Sequence, residues 1–189
     1  DEVYLQEVGL KIPTDKPVTA VVVCKGRLYT IVGSRLCFLR AGVLEDVANA
    51  PKSVSLLWAT KDALWCVAES GTYQLANGNW SRVTKMRFID LCTHEGSLYG
   101  ATRDAVFRWD GTTRPGAFVD IKPENGYLST DSTVIMEDGS QVLADPVRIG
   151  PIQKLASYSG TLYLLQPGRL GLISGKTFAP NPVDWGQPV

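Results

Sequence analysis

Histidine occurs once in this 189-residue chain, at His94, directly before Glu95. An imidazole beside a carboxylate is the smallest unit that performs general acid–base chemistry. Alone it supplies neither the converging ligands of a zinc site nor a Ser-His-Asp relay. Its place, in a turn between two expected strands, suits any polar residue. Gly175-Lys176-Thr177 carries the last letters of a phosphate-binding loop, but the glycine required five positions before Gly175 is Leu170, and strand-like text follows instead of a helix. It reads as a hairpin turn. Asp131, Glu137 and Asp138 lack the alternating oxygen donors of a calcium loop. Cys24, Cys37, Cys66 and Cys92 form no CxxC pair, and three of them sit in apolar runs, so reduced core thiols are expected. No cofactor, metal or catalytic residue is expected.

The chemistry left is recognition of anions. Arg35, Arg103, Arg169, Lys52, Lys85 and Arg87 are the candidates, since guanidinium groups match carboxylate and sulfate geometry. Trp109 is a candidate to stack on a sugar ring, because exposed aromatic side chains mark binding sites. Whether these residues act together depends on the elements that carry them.

Those elements repeat. Leu28-Tyr29, Leu64-Trp65, Leu98-Tyr99 and Leu162-Tyr163 each follow a turn, and each precedes a second turn glycine (Gly42, Gly78, Gly111, Gly175) by 14, 14, 13 and 13 positions. Aligned on this phrase, first strands fall at 18–23, 54–59, 88–93 and 152–157. Second strands fall at 27–32, 63–68, 97–102 and 161–166, and third strands at 36–39, 72–75, 105–109 and 170–173. Fourth strands fall at 43–47, 80–83, near 118–121, and 177–183. The runs are rich in Val, Ile, Leu and aromatic residues and are bounded by Gly, Asn and Asp. Asn77-Gly78 and Asp110-Gly111 read as two-residue hairpin turns.

Four-stranded antiparallel units of ~40 residues read as blades of a β-propeller. A sandwich or barrel of hairpins is the alternative. The fold class is therefore all-β, a propeller with about four blades, treated as one domain over 1–189. The phrase-to-phrase distances are 36, 34 and 64, so the third unit holds about thirty extra residues within 112–150. They include a hairpin of 133–136 and 141–143, and loops of this kind carry function. Tyr4-Leu5-Gln6-Glu7-Val8 resembles the fourth strand Val43-Leu44-Glu45-Asp46-Val47, with no first three strands before it. The count suggests part of a larger ring whose other blades come from further sequence or another chain.

In a propeller, the loops from second to third strand and from blade to blade share one rim. The former carry Arg35, Glu69, Arg103, Asp104 and Arg169, and the latter Lys52, Lys85 and Arg87. Six cations face two acids there, while the whole chain balances 19 basic against 19 acidic residues. That balance excludes a global attraction to nucleic acid. No apolar run reaches the ~18 residues of a membrane helix.

Gly96-Ser-Leu-Tyr-Gly-Ala-Thr102 followed by Ala105-Val-Phe-Arg-Trp-Asp-Gly111, and Ala63-Leu-Trp-Cys-Val-Ala68 with Gly71-Thr-Tyr-Gln-Leu75, resemble the propeller repeats of two-component-regulator type. These occur in bacterial sensor ectodomains and in modules attached to polysaccharide-degrading enzymes. The resemblance implies a sensory or carbohydrate-associated role in the periplasm or outside the cell, with no catalytic residue to carry over. The expected function is non-catalytic binding of an acidic polysaccharide or a protein partner at the basic rim. The inserted hairpin at 125–145 would be a second contact surface. An enzyme module is the alternative, and it requires Arg103, Tyr99 and His94 to converge. A scaffold for protein assembly is a third reading.

Overall fold

Lys25-Gly26, Ala41-Gly42, Asn77-Gly78, Glu95-Gly96 and Ser159-Gly160 each place two successive residues at positive φ, 47° to 50° at the first and 73° to 78° at the second. This is the two-residue turn whose twist matches that of paired strands. Such turns fold the chain into consecutive antiparallel sheets. The computed structural model describes residues 11–112, 118–120, 122–123, 126–128, 133–136, 141–143, 151–174 and 177–179. The expected strand at 4–8 lies outside them, as do Asp131, Glu137 and Asp138.

Blade 1 is β1 (Val18–Cys24), β2 (Arg27–Val32), β3 (Arg35–Arg40) and β4 (Val43–Asp46). Blade 2 is β5 (Leu56–Ala59), β6 (Leu64–Ala68), β7 (Gly71–Ala76) and β8 (Asn79–Thr84). Blade 3 is β9 (Asp90–His94), β10 (Ser97–Ala101), β11 (Val106–Trp109) and β12 (Phe118–Asp120). After it come β13 (Lys122–Pro123), β14 (Gly126–Leu128), β15 (Thr133–Met136) and β16 (Gln141–Leu143). Blade 4 is β17 (Lys154–Tyr158), β18 (Thr161–Gln166), β19 (Arg169–Ser174) and β20 (Thr177–Ala179). Each blade is hydrogen-bonded in chain order, and the all-β propeller architecture holds.

Three details depart from expectation. Asp110-Gly111 is not a two-residue hairpin: only Gly111 has positive φ, and β12 begins at Phe118. The Asp110 carboxylate instead accepts from the Thr112 N–H and hydroxyl at 2.9 and 2.6 Å, closing a local side-chain turn. The extra residues form a three-stranded sheet, β14-β15-β16, where a two-stranded hairpin was expected. Before it, β13 lies parallel to β20 on the outer edge of blade 4. Pro123, which has no N–H to offer, is tolerated on such an edge. Ser174 pairs with Thr177 across β19 and β20, and Gly175-Lys176 between them lies outside the described residues.

Alternation along each second strand explains the repeated phrase. Neighbouring side chains on a strand point to opposite faces. Leu64, Leu98 and Leu162 point back into the core shared with the preceding blade, while Tyr29, Trp65 and Tyr99 point forward into the core shared with the next. At each of the three blade junctions one aromatic pointing forward thus meets one leucine pointing backward. All five residues of β6 are buried, because blade 2 is covered on both faces.

Polar side chains stitch the inner strands. The Trp58 Nε1–H donates to Thr93 Oγ1 at 2.8 Å, and the Leu155 N–H donates to Asp90 Oδ2 at 2.8 Å. His94 is buried, with Nδ1 2.8 Å from Ser157 Oγ. It is therefore a link between blades 3 and 4, a more constrained role than a turn residue open to any polar substitute.

Candidate functional site

The rim formed by β2–β3, β6–β7, β10–β11 and the blade-to-blade loops is fixed by backbone hydrogen bonds. The Val54 N–H donates to Ser34 C=O at 2.9 Å, tying the loop that carries Lys52 to the turn before Arg35. The Ile89 N–H donates to Ala101 C=O at 2.8 Å, which sets Arg87 and Arg103 two residues beyond either end of that bond. The Thr102 N–H to Ala105 C=O bond, 2.9 Å, closes a tight turn with Arg103 and Asp104 at its tip. The Thr72 hydroxyl holds Met86 C=O at 2.8 Å, fixing the loop between Lys85 and Arg87.

Lys52, Lys85, Arg87 and Arg103 are exposed on this rim. Arg169 begins β19 at the same end of blade 4. Two of the expected site residues behave otherwise. The Arg35 guanidinium holds Asp15 at 2.8 Å and Asp46 at 3.0 Å. Asp15 first, then Asp46, hold its proton still more firmly than usual. Its charge is spent within the chain, and the rim's cationic excess is smaller than the sequence count. The cleft beside it, about 310 Å³, is lined by Ser34, Arg35, Asp46, Pro51 and Lys52, so it presents both signs of charge.

Trp109 is the second correction. It ends β11, at the opposite rim from the cations, with its ring edge-on to Trp65 at 4.7 Å and its Nε1–H on Thr112 C=O at 2.6 Å. Packing between blades 2 and 3 occupies it, so it does not stand beside the basic rim.

The convergence that the enzyme alternative requires is not formed. His94 and Tyr99 do approach, with ring centroids 5.8 Å apart. Arg103 lies across β10 from them, at the other rim. Burial pushes the Tyr99 phenol up, away from the phenolate a base would need. Among the described residues no group of three His, Cys, Asp or Glu side chains could hold a metal, and no helix is long and apolar enough to cross a membrane.

Sequence reasoning passed over one cleft. About 450 Å³ opens between blades 1 and 2 at the rim opposite the cations, lined by Arg27, Tyr29, Phe38, Val47, Leu75 and Trp80 among others. The Arg27 guanidinium lies over the Phe38 ring at 4.7 Å. The pairing of Tyr29 with Phe38 across β2 and β3 was the available signal.

All four cysteines are free and buried. Burial pushes the Cys66 thiol up to about 12, against an ordinary value of 9.0. The folded state thus keeps the neutral thiol after the unfolded chain has ionised. Its contribution is whole below pH 9 and is lost as pH rises toward 12. Urea midpoints should hold steady to about pH 9 and then fall, less steeply in Cys66→Ala. An equal alkaline fall in both proteins would remove Cys66 as the cause.

No protein-family model and no curated protein sequence matches the chain. Solved structures do. The extracellular domain of BT4673 from B. thetaiotaomicron, described as a one-component system, matches with TM-score 0.57 and 14% identity, over 82% of this chain and 21% of that one. The extracellular domain of the hybrid two-component system BT3049, from the same organism, matches with TM-score 0.50 and 11% identity, over 88% of this chain and 30% of that one. The computationally designed Ika4 protein matches with TM-score 0.55 and 11% identity, over 88% of this chain and 98% of Ika4. The chain thus spans about a fifth to a third of the two bacterial domains and nearly the whole length of the designed protein. At these identities the likeness is one of fold.

Proposed function

We propose that this chain is a non-catalytic binding module that works outside the cytoplasm, in a sensory or carbohydrate-associated protein. An anionic ligand, such as a uronate or sulfated sugar, docks on Lys85, Arg87 and Arg103, with Lys52 flanking. The observation that carries the reading is the hydrogen-bonded framework holding Arg87 and Arg103 on either side of the Ile89–Ala101 bond, both exposed and neither held by a carboxylate among the described residues as Arg35 is. Cations held by backbone bonds lose less freedom when they bind. The likeness to extracellular domains of bacterial signalling proteins supports the compartment and the absence of catalysis.

The test is calorimetric titration with an acidic and a neutral polysaccharide. The acidic one should bind, more weakly as salt is raised. Lys85→Ala, Arg87→Ala and Arg103→Ala combined should weaken binding at least about tenfold, since hydrogen bonds to charged groups contribute ~1.5–3 kcal/mol each. Arg35→Ala should change affinity far less. An affinity indifferent to the triple substitution, or no binding of acidic glycans at all, sinks the ligand assignment.

A further inference from the structure

The junction between blades 1 and 2 and the junction between blades 2 and 3 share one plan but are filled differently. Trp65 stands opposite Gln74 and Tyr99 opposite Arg108, so Leu75 on β7 and Trp109 on β11 hold the same place in successive blades. Their partners on the fourth strands, Trp80 and Phe118, correspond in the same way. Between blades 2 and 3 the place is full: Trp65 meets Trp109 at 4.7 Å and Phe118 at 6.3 Å. Between blades 1 and 2 the smaller Tyr29 and Leu75 stand there, and the cleft of about 450 Å³ opens beside them. That volume lies within the range of small-molecule sites.

The cleft joins apolar walls to cationic side chains. Phe38 and Trp80 line it half-buried, together with Tyr29, Leu64 and Leu75. The Trp80 Nε1–H donates to Ala48 C=O at 3.3 Å, which ties blade 2 to blade 1 and holds the indole in place. Lys25 and Arg27 are exposed there, and among the described residues no carboxylate lines the cleft. The Arg27 guanidinium lies over the Phe38 ring at 4.7 Å. Stacking engages its face and leaves its N–H edge to meet the two oxygens of a carboxylate. Glu45, paired with Phe38 across β3 and β4, is instead 3.9 Å from Arg40. A sugar suits these walls poorly, since its hydroxyls would be buried with few partners.

We propose that this cleft binds a small arylcarboxylate, with the ring against Tyr29, Phe38 and Trp80 and the carboxylate on Arg27 and Lys25. The ring gains apolar burial and contacts with three aromatic side chains. The carboxylate supplies the negative charge that the cleft lacks. The cationic rim lies at the other end of the strands, so this site does not rest on the ligand assigned there.

Calorimetric titration with naphthoate tests the proposal, with the neutral naphthyl alcohol and glucuronate as controls. Naphthoate should bind with a Kd of about 1 mM or tighter, the range for a ligand of its size, and more tightly than either control. Leu75→Trp places at this junction the residue that fills the next one, and should abolish binding with an unchanged circular dichroism spectrum. Arg27 is exposed, so Arg27→Gln keeps the fold even where Leu75→Trp does not. It should weaken naphthoate binding at least about tenfold, since hydrogen bonds to charged groups are the stronger ones. Lys85→Ala, Arg87→Ala and Arg103→Ala combined should leave naphthoate affinity as it is, which separates this site from the rim. No saturable binding of naphthoate overturns the proposal. So does binding that survives Leu75→Trp in a folded protein, or an affinity unmoved by Arg27→Gln. Loss of binding in the triple rim variant, or a control that binds as tightly as naphthoate, overturns it too.

Discussion

Trp65→Ala lowers the free energy of unfolding by about 3–5 kcal/mol, the range for removing a large aromatic side chain from a packed core. Trp65 has no exposed surface and joins blade 2 to blade 3. Its ring meets Trp109 edge-on at 4.7 Å and Phe118 at 6.3 Å, so the cavity would lie between two aromatic groups fixed on separate strands. Such a site collapses poorly, which favours the upper part of the range. Domains are stable by ~5–15 kcal/mol, so this single change removes a large share. The Trp65 indole N–H is buried without a hydrogen-bond partner among the described residues. Trp65→Phe should therefore cost clearly less than Trp65→Ala, since it keeps most of the ring contact and deletes an unsatisfied donor. Urea denaturation measures both. Equal costs for Phe and Ala would mean that the ring contacts are not what holds the two blades together.

Gly71→Ala is expected to destabilise by about 3 kcal/mol or more, combining strain in a region essentially reserved for glycine with a steric clash. Gly71 starts β7 at φ +139°, and a Cβ placed there would stand 2.2 Å from the Thr84 carbonyl oxygen. Backbone cannot swing aside as a flexible side chain can. The register between β7 and β8 is also irregular at this point, with Thr72 opposite Thr84 but Tyr73 opposite Arg82. A bulge and a close backbone approach are the usual reasons for glycine in a strand. Gly78→Ala is the control: its φ is +77°, but nothing lies within 4 Å of the added Cβ. It should cost only about 1–2 kcal/mol, the price of a left-handed residue. If the two substitutions lower the urea midpoint equally, the contact with Thr84 is not close.

The blade plan was legible because it rests on local chemistry. Second strands expected at 27–32 and 161–166 match Arg27–Val32 and Thr161–Gln166 to the residue. Turn pairs such as Asn77-Gly78 fix where one strand ends and the next begins. First strands begin two residues later than expected in blades 2, 3 and 4. There the apolar residues Val54, Phe88 and Ile152 are buried from the loop, as plugs, before the strand starts. Hydrophobicity marks burial, and burial is not confined to strands. The Phe88 plug also explains Gly100, where a Cβ would come within 2.8 Å of the Phe88 ring.

The candidate site was only partly legible. Loop membership placed Lys52, Lys85, Arg87 and Arg103 on one rim, since topology alone decides which turns share an end of a sheet. Arg35 was misjudged because its carboxylate partners lie 11 and 20 residues away, beyond any local spacing rule. Trp109 was misjudged because position near a strand end does not reveal what packs against the ring. His94 was discounted as a turn residue, yet its partner Ser157 is 63 residues away on the next blade.

By itself, then, the sequence determined the unit: four short strands, their turns, and a Leu-aromatic phrase whose two side chains must face opposite ways. Strand alternation and turn geometry are nearest-neighbour properties, so they are written locally. Only the tertiary structure decided which charges are spent on ion pairs and which aromatics are spent on packing. Those outcomes depend on contacts between blades, where the deciding distances join residues that no local pattern in the chain connects.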